Sequence, residues 1–264
     1  MEAKMKKYLV LISLELKKMK EYFLNVIMMI STLPVQIMIY IFMIYWLNEY
    51  QKLGEFKFSF FIMYYISILI LKSIMMPAGT VCYYVYEDIR SGDLDRYLLL
   101  PISYIKKKYF ENFANFIISF PLGFLIIMIA NLFLQTGEKL IFLNIIYFFI
   151  SALLGFTILF FIFEIVGILS FWFENTLSLR DIVWIVIQIF SGEMIPLFLL
   201  TEKFQFLNYL PISYIYYYPV MILQGKSGDI LYVFLMQIIW IAVLFSIANF
   251  AFKIGVNKYE SQGG

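Results

Sequence analysis

Residues 58–79 read FSFFIMYYISILILKSIMMPAG, an unbroken apolar run whose single charge is Lys72. A helix that crosses a membrane needs about 20 consecutive, mostly apolar residues. Five other segments meet the same requirement, so the sequence predicts an all-α, polytopic integral membrane protein. The six predicted spans are Phe23–Leu47, Phe58–Gly79, Asn112–Leu134, Ile141–Trp172, Ile182–Leu200 and Ile230–Phe252.

The composition of the whole chain agrees with this class of protein. Of its 264 residues, 63% are hydrophobic and 14% are charged, whereas a soluble domain is about half apolar and a quarter charged. The chain has no histidine and one cysteine, Cys82. These counts exclude histidine-dependent catalysis, histidine-ligated metal sites and a disulfide framework, and no metal site is predicted.

The basic residues predict the orientation of the spans. With six spans, fourteen of the 20 lysines and arginines fall on one side, in the N-terminal segment, the second loop, the fourth loop and the tail. Loops rich in lysine and arginine stay in the cytoplasm. We therefore expect a multi-pass protein of the cell membrane with both termini in the cytoplasm.

The N-terminal segment, residues 1–21, has an apolar stripe at helical spacing with lysines beside it. This pattern predicts an amphipathic helix in the membrane interface, held there by apolar burial and by anionic membrane lipid. The alternative is a plain cytoplasmic extension. The stripe consists of Met5, Tyr8, Leu9, Ile12, Leu16 and Met19.

The second loop, residues 82–110, is the most polar part of the chain. Gly92 can end one helix, Asp93 can cap the next, and Pro101 stops that second helix within about two turns. The alternation of acidic and basic groups suits a protein partner, although a solvated loop without a partner is the alternative. The residues of interest are Glu87, Asp88, Ile89, Arg90, Ser91, Gly92, Asp93, Leu94, Asp95 and Arg96.

The stretch before the sixth span is aromatic and punctuated by prolines, which is unusual for an exposed loop. We expect residues 201–229 to fold back into the outer leaflet or to cap the bundle, because tyrosines favour the interface and irregular backbone there must be buried in protein or line water. An aromatic belt that only anchors two helix ends is the alternative. The characteristic residues are Gly192, Pro196, Pro211, Tyr214 and Pro219.

Two charges, Lys72 and Glu164, lie inside apolar segments. Charged residues within a membrane are costly and mark functional sites by default. Lys72 is deeper in its span, where it can line a cavity or pair with a carboxylate, although snorkelling to the interface is the alternative. Glu164 lies towards the cytoplasmic end of the fourth span, where a side chain can also snorkel to the interface. Both are candidate pathway charges.

In chain order, these landmarks resemble the permease subunit of type-two ATP-binding-cassette (ABC) exporters. That family has an amphipathic elbow helix, six spans, a cytoplasmic coupling helix after the second span, and re-entrant outer helices before the sixth. The run Asp88-Ile89-Arg90-Ser91-Gly92 and the later Leu99-Leu100-Pro101 are similar to its coupling motif. One departure is Leu100, since the subfamily often has a basic residue just before the proline.

The resemblance implies a non-catalytic permease in a bacterial inner membrane that moves a hydrophobic or amphipathic cargo outward. It also implies two permease subunits, as a homodimer or as a pair with a paralogous permease, and a separate ABC ATPase subunit. ATP and magnesium would bind to that ATPase subunit, so no cofactor is expected on this chain. No nucleic-acid partner is expected.

Two other functions fit the sequence less well. A secondary transporter driven by an ion gradient would need paired intramembrane carboxylates or helices broken at mid-depth. A membrane lipid-modifying enzyme would need a compact acidic metal motif, for which Glu87, Asp88, Asp93 and Asp95 are the available residues. Their spacing matches no established motif.

The charge asymmetry makes the orientation testable by cysteine accessibility. In a background with Cys82 replaced by serine, Ser91→Cys should react with an impermeant thiol reagent only from the cytoplasmic side. Lys203→Cys should react only from the outside. Labelling of Ser91→Cys from outside intact cells would contradict the orientation.

Overall fold

The fold is built from helices of very different lengths. The computed structural model describes residues 32–46, 58–134 and 141–259. The predicted elbow, residues 1–21, lies outside the described residues, as do the ends of the first predicted span. Within the described ranges the helices are α1 (Thr32–Trp46), α2 (Phe58–Arg90), α3 (Leu94–Leu98), α4 (Tyr104–Leu134), α5 (Phe142–Ile168), α6 (Thr176–Phe190), α7 (Tyr217–Leu223) and α8 (Ile230–Lys258).

Four of the described helices are long and apolar enough to cross a membrane: α2, α4, α5 and α8. The described part of the chain contains no strand. The all-helical, polytopic architecture predicted from the sequence is therefore confirmed, whereas the count of six spans stays a prediction. The 15 residues of α6 rise only about 22 Å, which is less than the hydrocarbon thickness of about 30 Å.

The helix ends differ from the predicted span ends for a physical reason. Hydropathy marks where the chain meets water, but a helix continues as long as its backbone hydrogen bonds do. Thus α2 runs on to Arg90 and α4 already starts at Tyr104, so both extend into the predicted loop 82–110. The predicted span Ile182–Leu200 is not one helix, because α6 begins earlier, at Thr176, and ends at Phe190.

The centre of the bundle is formed by α2 and α5. Of the residues in the most apolar stretch of α2, 67% are buried within the chain. In the corresponding stretch of α8 the share is only 17%. Close approach to α2 requires glycines: a Cβ at Gly167 of α5 would lie 3.1 Å from the backbone oxygen of Cys82. The outer faces of α4 and α8 are largely exposed in the single chain.

One end of the bundle collects most of the described basic residues, and we call it the basic end. Contacts bring the ends of α2, α5 and α8 together there, because the Arg90 guanidinium donates to the carbonyl oxygen of Phe173 at 2.8 Å and Gly92 lies beside Tyr259. The basic residues at this end are Arg90, Arg96, Lys106, Lys107, Lys108, Arg180, Lys253 and Lys258. This grouping matches the side that the sequence assigns to the cytoplasm.

From the opposite end a hairpin of chain, residues 211–223, reaches back into the bundle. It passes Gly155, halfway along α5, where a Cβ would lie 2.7 Å from the carbonyl oxygen of Ile215. Gly155 is about 20 Å along the helix axis from Phe142. The hairpin then returns through α7 to Gly225, beside the Asn144 side chain. We call residues 211–223 the re-entrant hairpin.

The side chain of Gln237 forms a hydrogen bond with the irregular backbone where the hairpin lies deepest in the bundle. The amide nitrogen of Gln237 in α8 donates to the carbonyl oxygens of Tyr214 and Ser151, both at 3.0 Å. The Ser151 hydroxyl in turn donates to the Gln237 side-chain oxygen at 3.2 Å. The small residues Ser151 and Gly155 therefore make room for the hairpin and for Gln237.

The tight packing at Gly155 predicts that Gly155→Ala destabilises the fold. The added methyl group meets backbone atoms of the hairpin, which cannot rotate away, and overpacking typically costs about 1–3 kcal/mol. Gly123→Ala is the matched control: it makes the same change in α4, but the new methyl group meets the ends of the Ile70 and Ile74 side chains. Denaturation in detergent micelles, followed by circular dichroism, measures both.

Both substitutions gain about 1 kcal/mol of helix propensity, so this term cancels in the comparison. If Gly155→Ala is as stable as Gly123→Ala, the hairpin does not pack against the middle of α5.

Candidate functional site

The turn between α2 and α3 is the first candidate site. Gly92 has a φ of 82°, a left-handed conformation that glycine adopts freely, and it ends α2 as the sequence predicts. The predicted cap by Asp93 is wrong: Asp93 precedes α3, but its side chain makes no capping hydrogen bond. Its carboxylate instead accepts from the Ser91 hydroxyl at 3.0 Å and pairs with Arg96 at 3.3 Å.

A buried polar cluster anchors this turn to the bundle. The Lys108 Nζ lies 2.6 Å from the Asp88 Oδ2, and the Tyr104 hydroxyl donates to the same oxygen at 2.6 Å. Beside the cluster, Ile89 and Leu94 are buried. The ion pair joins α2 to α4 across α3, so the short helix is fixed at both of its ends.

Tyr97 of α3 lies over the two lysines at the start of α4. Its ring centroid is 4.4 Å from the Lys107 Nζ and 5.0 Å from the Lys108 Nζ, within the range of a cation–π contact. Partial burial and then the nearby Asp88 carboxylate raise the pKa of the Tyr97 phenol. The neutral ring at physiological pH keeps α3 close to α4.

The far side of this turn faces away from the bundle and is apolar at its end. Leu98, Leu99 and Leu100 are exposed, with Leu99 at 87%; we call them the leucine tip. The Arg96 side chain is exposed beside them. An exposed apolar group on a rigid support typically marks an interaction site. The run Leu99-Leu100-Pro101 was noted in the sequence as part of the motif resemblance, but its exposure was not predicted.

The second candidate site lies in the interior, where Lys72 pairs with a carboxylate, which is one of its predicted alternatives. The Lys72 Nζ is 2.5 Å from the Glu193 Oε1. On either side of Glu193, the Tyr64 hydroxyl donates to the Gly192 carbonyl at 2.8 Å and the Tyr65 hydroxyl donates to the Met194 carbonyl at 3.2 Å. We call these three contacts the clasp.

Glu193 was missed as a site residue because the predicted span Ile182–Leu200 continues across the break that follows α6. The chain leaves α6 at Phe190, and Gly192 adopts a φ of 86°, which turns Glu193 towards α2. The signal in the sequence was the pair Ser191-Gly192, a helix-ending motif in the middle of a predicted span.

The other predicted pathway charge, Glu164, is fully buried near the end of α5 and does not snorkel to solvent. Neither of its carboxylate oxygens has a hydrogen-bond partner among the described residues. Lys108 is the neighbouring cation that acts on it, so Glu164 lies beside the cluster that anchors α3. Lys72 and Glu164 are not brought together.

The acidic residues of the second loop do not form a metal site in the described part of the chain. No group of three or more potential ligands occurs there. Asp88 is buried against Lys108 and Tyr104, whereas Asp93 pairs with Arg96 on the surface. The carboxylates that a lipid-modifying enzyme would need to bring together are therefore separated.

The buried cluster predicts a strong energetic coupling between Asp88 and Lys108. Asp88→Asn or Lys108→Met alone should lower the free energy of unfolding by about 3–5 kcal/mol, because each leaves a buried group unpaired. The double variant Asp88→Asn/Lys108→Met should lose less free energy of unfolding than the two single variants lose together. Arg96→Ala, which breaks the exposed pair with Asp93, is the control and should cost about 1 kcal/mol or less. Thermal unfolding of the single and double variants measures these losses as a double-mutant cycle. If the two single losses add up to the loss of the double variant, Asp88 and Lys108 are not coupled.

Comparison with known proteins adds an independent observation to this geometry. The family model described as "ABC-2 family transporter protein" matches residues 9–263. Neither the curated proteins nor the solved structures give a match. The matched range includes α3, the leucine tip, the clasp and the re-entrant hairpin. This chain therefore belongs to the ABC-2 family of transporter proteins, as a membrane-spanning permease component of an ABC transporter.

Proposed function

We propose that the chain is the permease subunit of an ATP-driven exporter that moves a hydrophobic or amphipathic cargo outward, with ATP hydrolysis on a separate subunit. The observation that carries this proposal is the turn at the basic end, which is anchored to the bundle and ends in exposed leucines. The family of the chain, the ABC-2 transporters, supports the same function. A permease that hydrolyses no ATP needs a firm contact through which a partner can move it.

The proposed ATPase contact is the leucine tip together with the charges on α3. Leu99 is the most exposed residue of the tip, and burial of one leucine side chain is worth about 1.5–3 kcal/mol. The exposed Arg96 adds a charged contact at the rim of the apolar patch. The partner surface is therefore expected to be an apolar cleft with charged residues at its rim.

The anchors of α3 define how a movement of the ATPase reaches the spans. Asp88 belongs to α2 and Lys108 to α4, so a displacement of α3 acts on both helices at once. A rigid element that joins two moving parts is the physical requirement for coupling between distant sites. In this proposal ATP binding moves the leucine tip, and α2 carries the movement towards the clasp.

The complete transporter is proposed to contain two permease subunits, either two copies of this chain or this chain with a paralogous permease. The broad apolar faces of α4 and α8 are available for a second subunit and for membrane lipid. The stripe Ser151 and Gly155 is not the proposed contact between subunits, because it faces the re-entrant hairpin.

The clasp gives the ion-gradient alternative one supporting observation, namely a charged pair next to the interruption that follows α6. The two mechanisms differ in their energy source. In energised vesicles, ATP depletion should stop export by the proposed mechanism, whereas an ionophore that collapses the ion gradients should leave it running. The opposite result would favour a secondary transporter.

Substitutions at α3 test the docking proposal. Leu99→Ser should weaken binding of the ATPase subunit about ten-fold or more, since about 1.4 kcal/mol is lost per tenfold. The double variant Asp95→Ala/Arg96→Ala should weaken it about thirty-fold or more if the contact is partly buried, where such losses are about 2–5 kcal/mol. Co-purification and ATP-dependent transport measure both effects.

Leu231→Ser is the matched control, because Leu231 is an exposed leucine at the opposite end of the bundle. It should leave binding unchanged, and all variants should insert normally. Normal ATPase binding and transport by both α3 variants would show that the loop is a solvated connector.

A further inference from the structure

The clasp has the composition of a binding site for a positive charge. Its fixed part is Glu193, which follows the C-terminal end of α6. The C-terminal end of a helix carries a partial negative charge, and the Met194 amide still donates to the carbonyl of Gln188 in the last turn of α6. The Glu193 carboxylate and the end of α6 together attract a cation.

Part of this site is unsatisfied in the structure. The Glu193 Oε2 is buried and has no hydrogen-bond partner among the described residues, and the same is true of the Tyr216 hydroxyl. Tyr216 belongs to the segment that packs on this site, because a Cβ at Gly192 would lie 3.1 Å from the Cβ of the neighbouring Tyr217. A buried polar atom without a partner typically costs about 1–3 kcal/mol, so the arrangement has capacity for a further hydrogen-bonding group.

The cation now at the site, Lys72, belongs to a flexible side chain that is only partly enclosed. The Lys72 side chain is 25% exposed, whereas that of Glu193 is 4% exposed. A lysine has a compact ammonium on a mobile four-carbon stem, so its head can leave while Glu193 stays in place. An opening for Lys72 is also an opening for another ammonium group.

The surroundings suit an amphipathic molecule. Tyr40 stacks on Tyr65 with 4.3 Å between ring centroids, and the ring of Phe198 lies 5.9 Å from that of Tyr64. Aromatic faces bind apolar tails and also attract cations. Tyr64 and Tyr65 are buried by these contacts, whereas Tyr40 and Phe198 are only partly buried. An apolar tail beside the charged pair would therefore meet Tyr40 and Phe198.

We propose that Glu193 and Tyr216 bind the primary ammonium group of a cationic amphipathic cargo, and that Lys72 is a tethered substitute that occupies the site in the absence of cargo. This inference rests on the proposed export function and assigns its cargo class. A primary ammonium has three N–H donors, enough for both Glu193 oxygens and the Tyr216 hydroxyl. A quaternary ammonium has no donor and cannot replace Lys72 in this way.

The test is binding of labelled decylammonium to the purified full-length chain in dodecyl maltoside, with three competitors of the same chain length. Unlabelled decylammonium should compete at least ten-fold better than decanol, decyltrimethylammonium or decanoate. Equal competition by decanol or decyltrimethylammonium would indicate partition into apolar surface and overturn the proposal. Stronger competition by decanoate would mean that Lys72 binds an anion, which also overturns it.

Two variants separate the roles of the two charges. Lys72→Ala should bind decylammonium at least ten-fold more tightly than the wild-type chain, because the probe no longer displaces a tethered ammonium that occupies the site more than nine-tenths of the time. Glu193→Gln should reduce decylammonium binding to the level of decanol. Unchanged affinity in either variant would overturn the proposal.

Lys226→Ala is the control for the loss of one positive charge, since Lys226 is exposed near the end of the re-entrant hairpin, and it should bind like the wild-type chain. If a clasp variant does not fold, the competition series on the wild-type chain decides alone. The binding experiment needs no ATPase subunit, so its failure is distinguishable from failure of the exporter proposal, which the ATPase co-purification tests.

Discussion

Backbone that leaves helical geometry inside an apolar environment must find its hydrogen-bond partners within the protein, and this constraint shapes the second half of the chain. After α6 ends at Phe190, the irregular segment is paired by side chains of neighbouring helices. Tyr64 and Tyr65 of α2 donate hydrogen bonds to the carbonyls on either side of Glu193. Gln237 of α8 donates a hydrogen bond to the carbonyl of Tyr214. The positions of α2, α5 and α8 follow from the need to surround this segment.

The central helix α2 contributes to both candidate sites. At the basic end its Asp88 pairs with Lys108, and in the interior its Lys72 pairs with Glu193. The two sites lie on one helix, about 24 Å apart along its axis, and Pro77 lies inside the helix between them. In the proposed mechanism, a displacement at α3 would reach the clasp along α2, past Pro77, which removes one backbone hydrogen bond from that helix.

The sequence predicted the class of fold well because burial in a membrane imposes long apolar runs, and these survive in a single sequence. It also located Gly92 as a helix end, and it included pairing with a carboxylate among the alternatives for Lys72. It did not identify Glu193 as the partner, because hydropathy averages over the break at Ser191-Gly192 and assigns one span across it. The cap by Asp93 failed because Ser91 and Arg96 compete for the same carboxylate, a local choice that residue preferences do not resolve. The exposure of the leucine tip was not predicted, because a leucine run in an apolar sequence does not show whether its side chains are buried.

The shortness of α6 has a consequence for how the protein is made. A helix of 15 residues is too short to settle stably across a bilayer on its own. The chain that follows it contains Glu193 and carbonyls whose hydrogen-bond donors are side chains of α2 and α8. During synthesis, α6 and the re-entrant hairpin reach the membrane only after α2 and α5 have been translated. The earlier helices therefore act as a template for the later ones. An intermediate with α2, α4 and α5 inserted is expected during synthesis. It is completed when α8 is translated and Gln237 forms its hydrogen bond with the carbonyl of Tyr214.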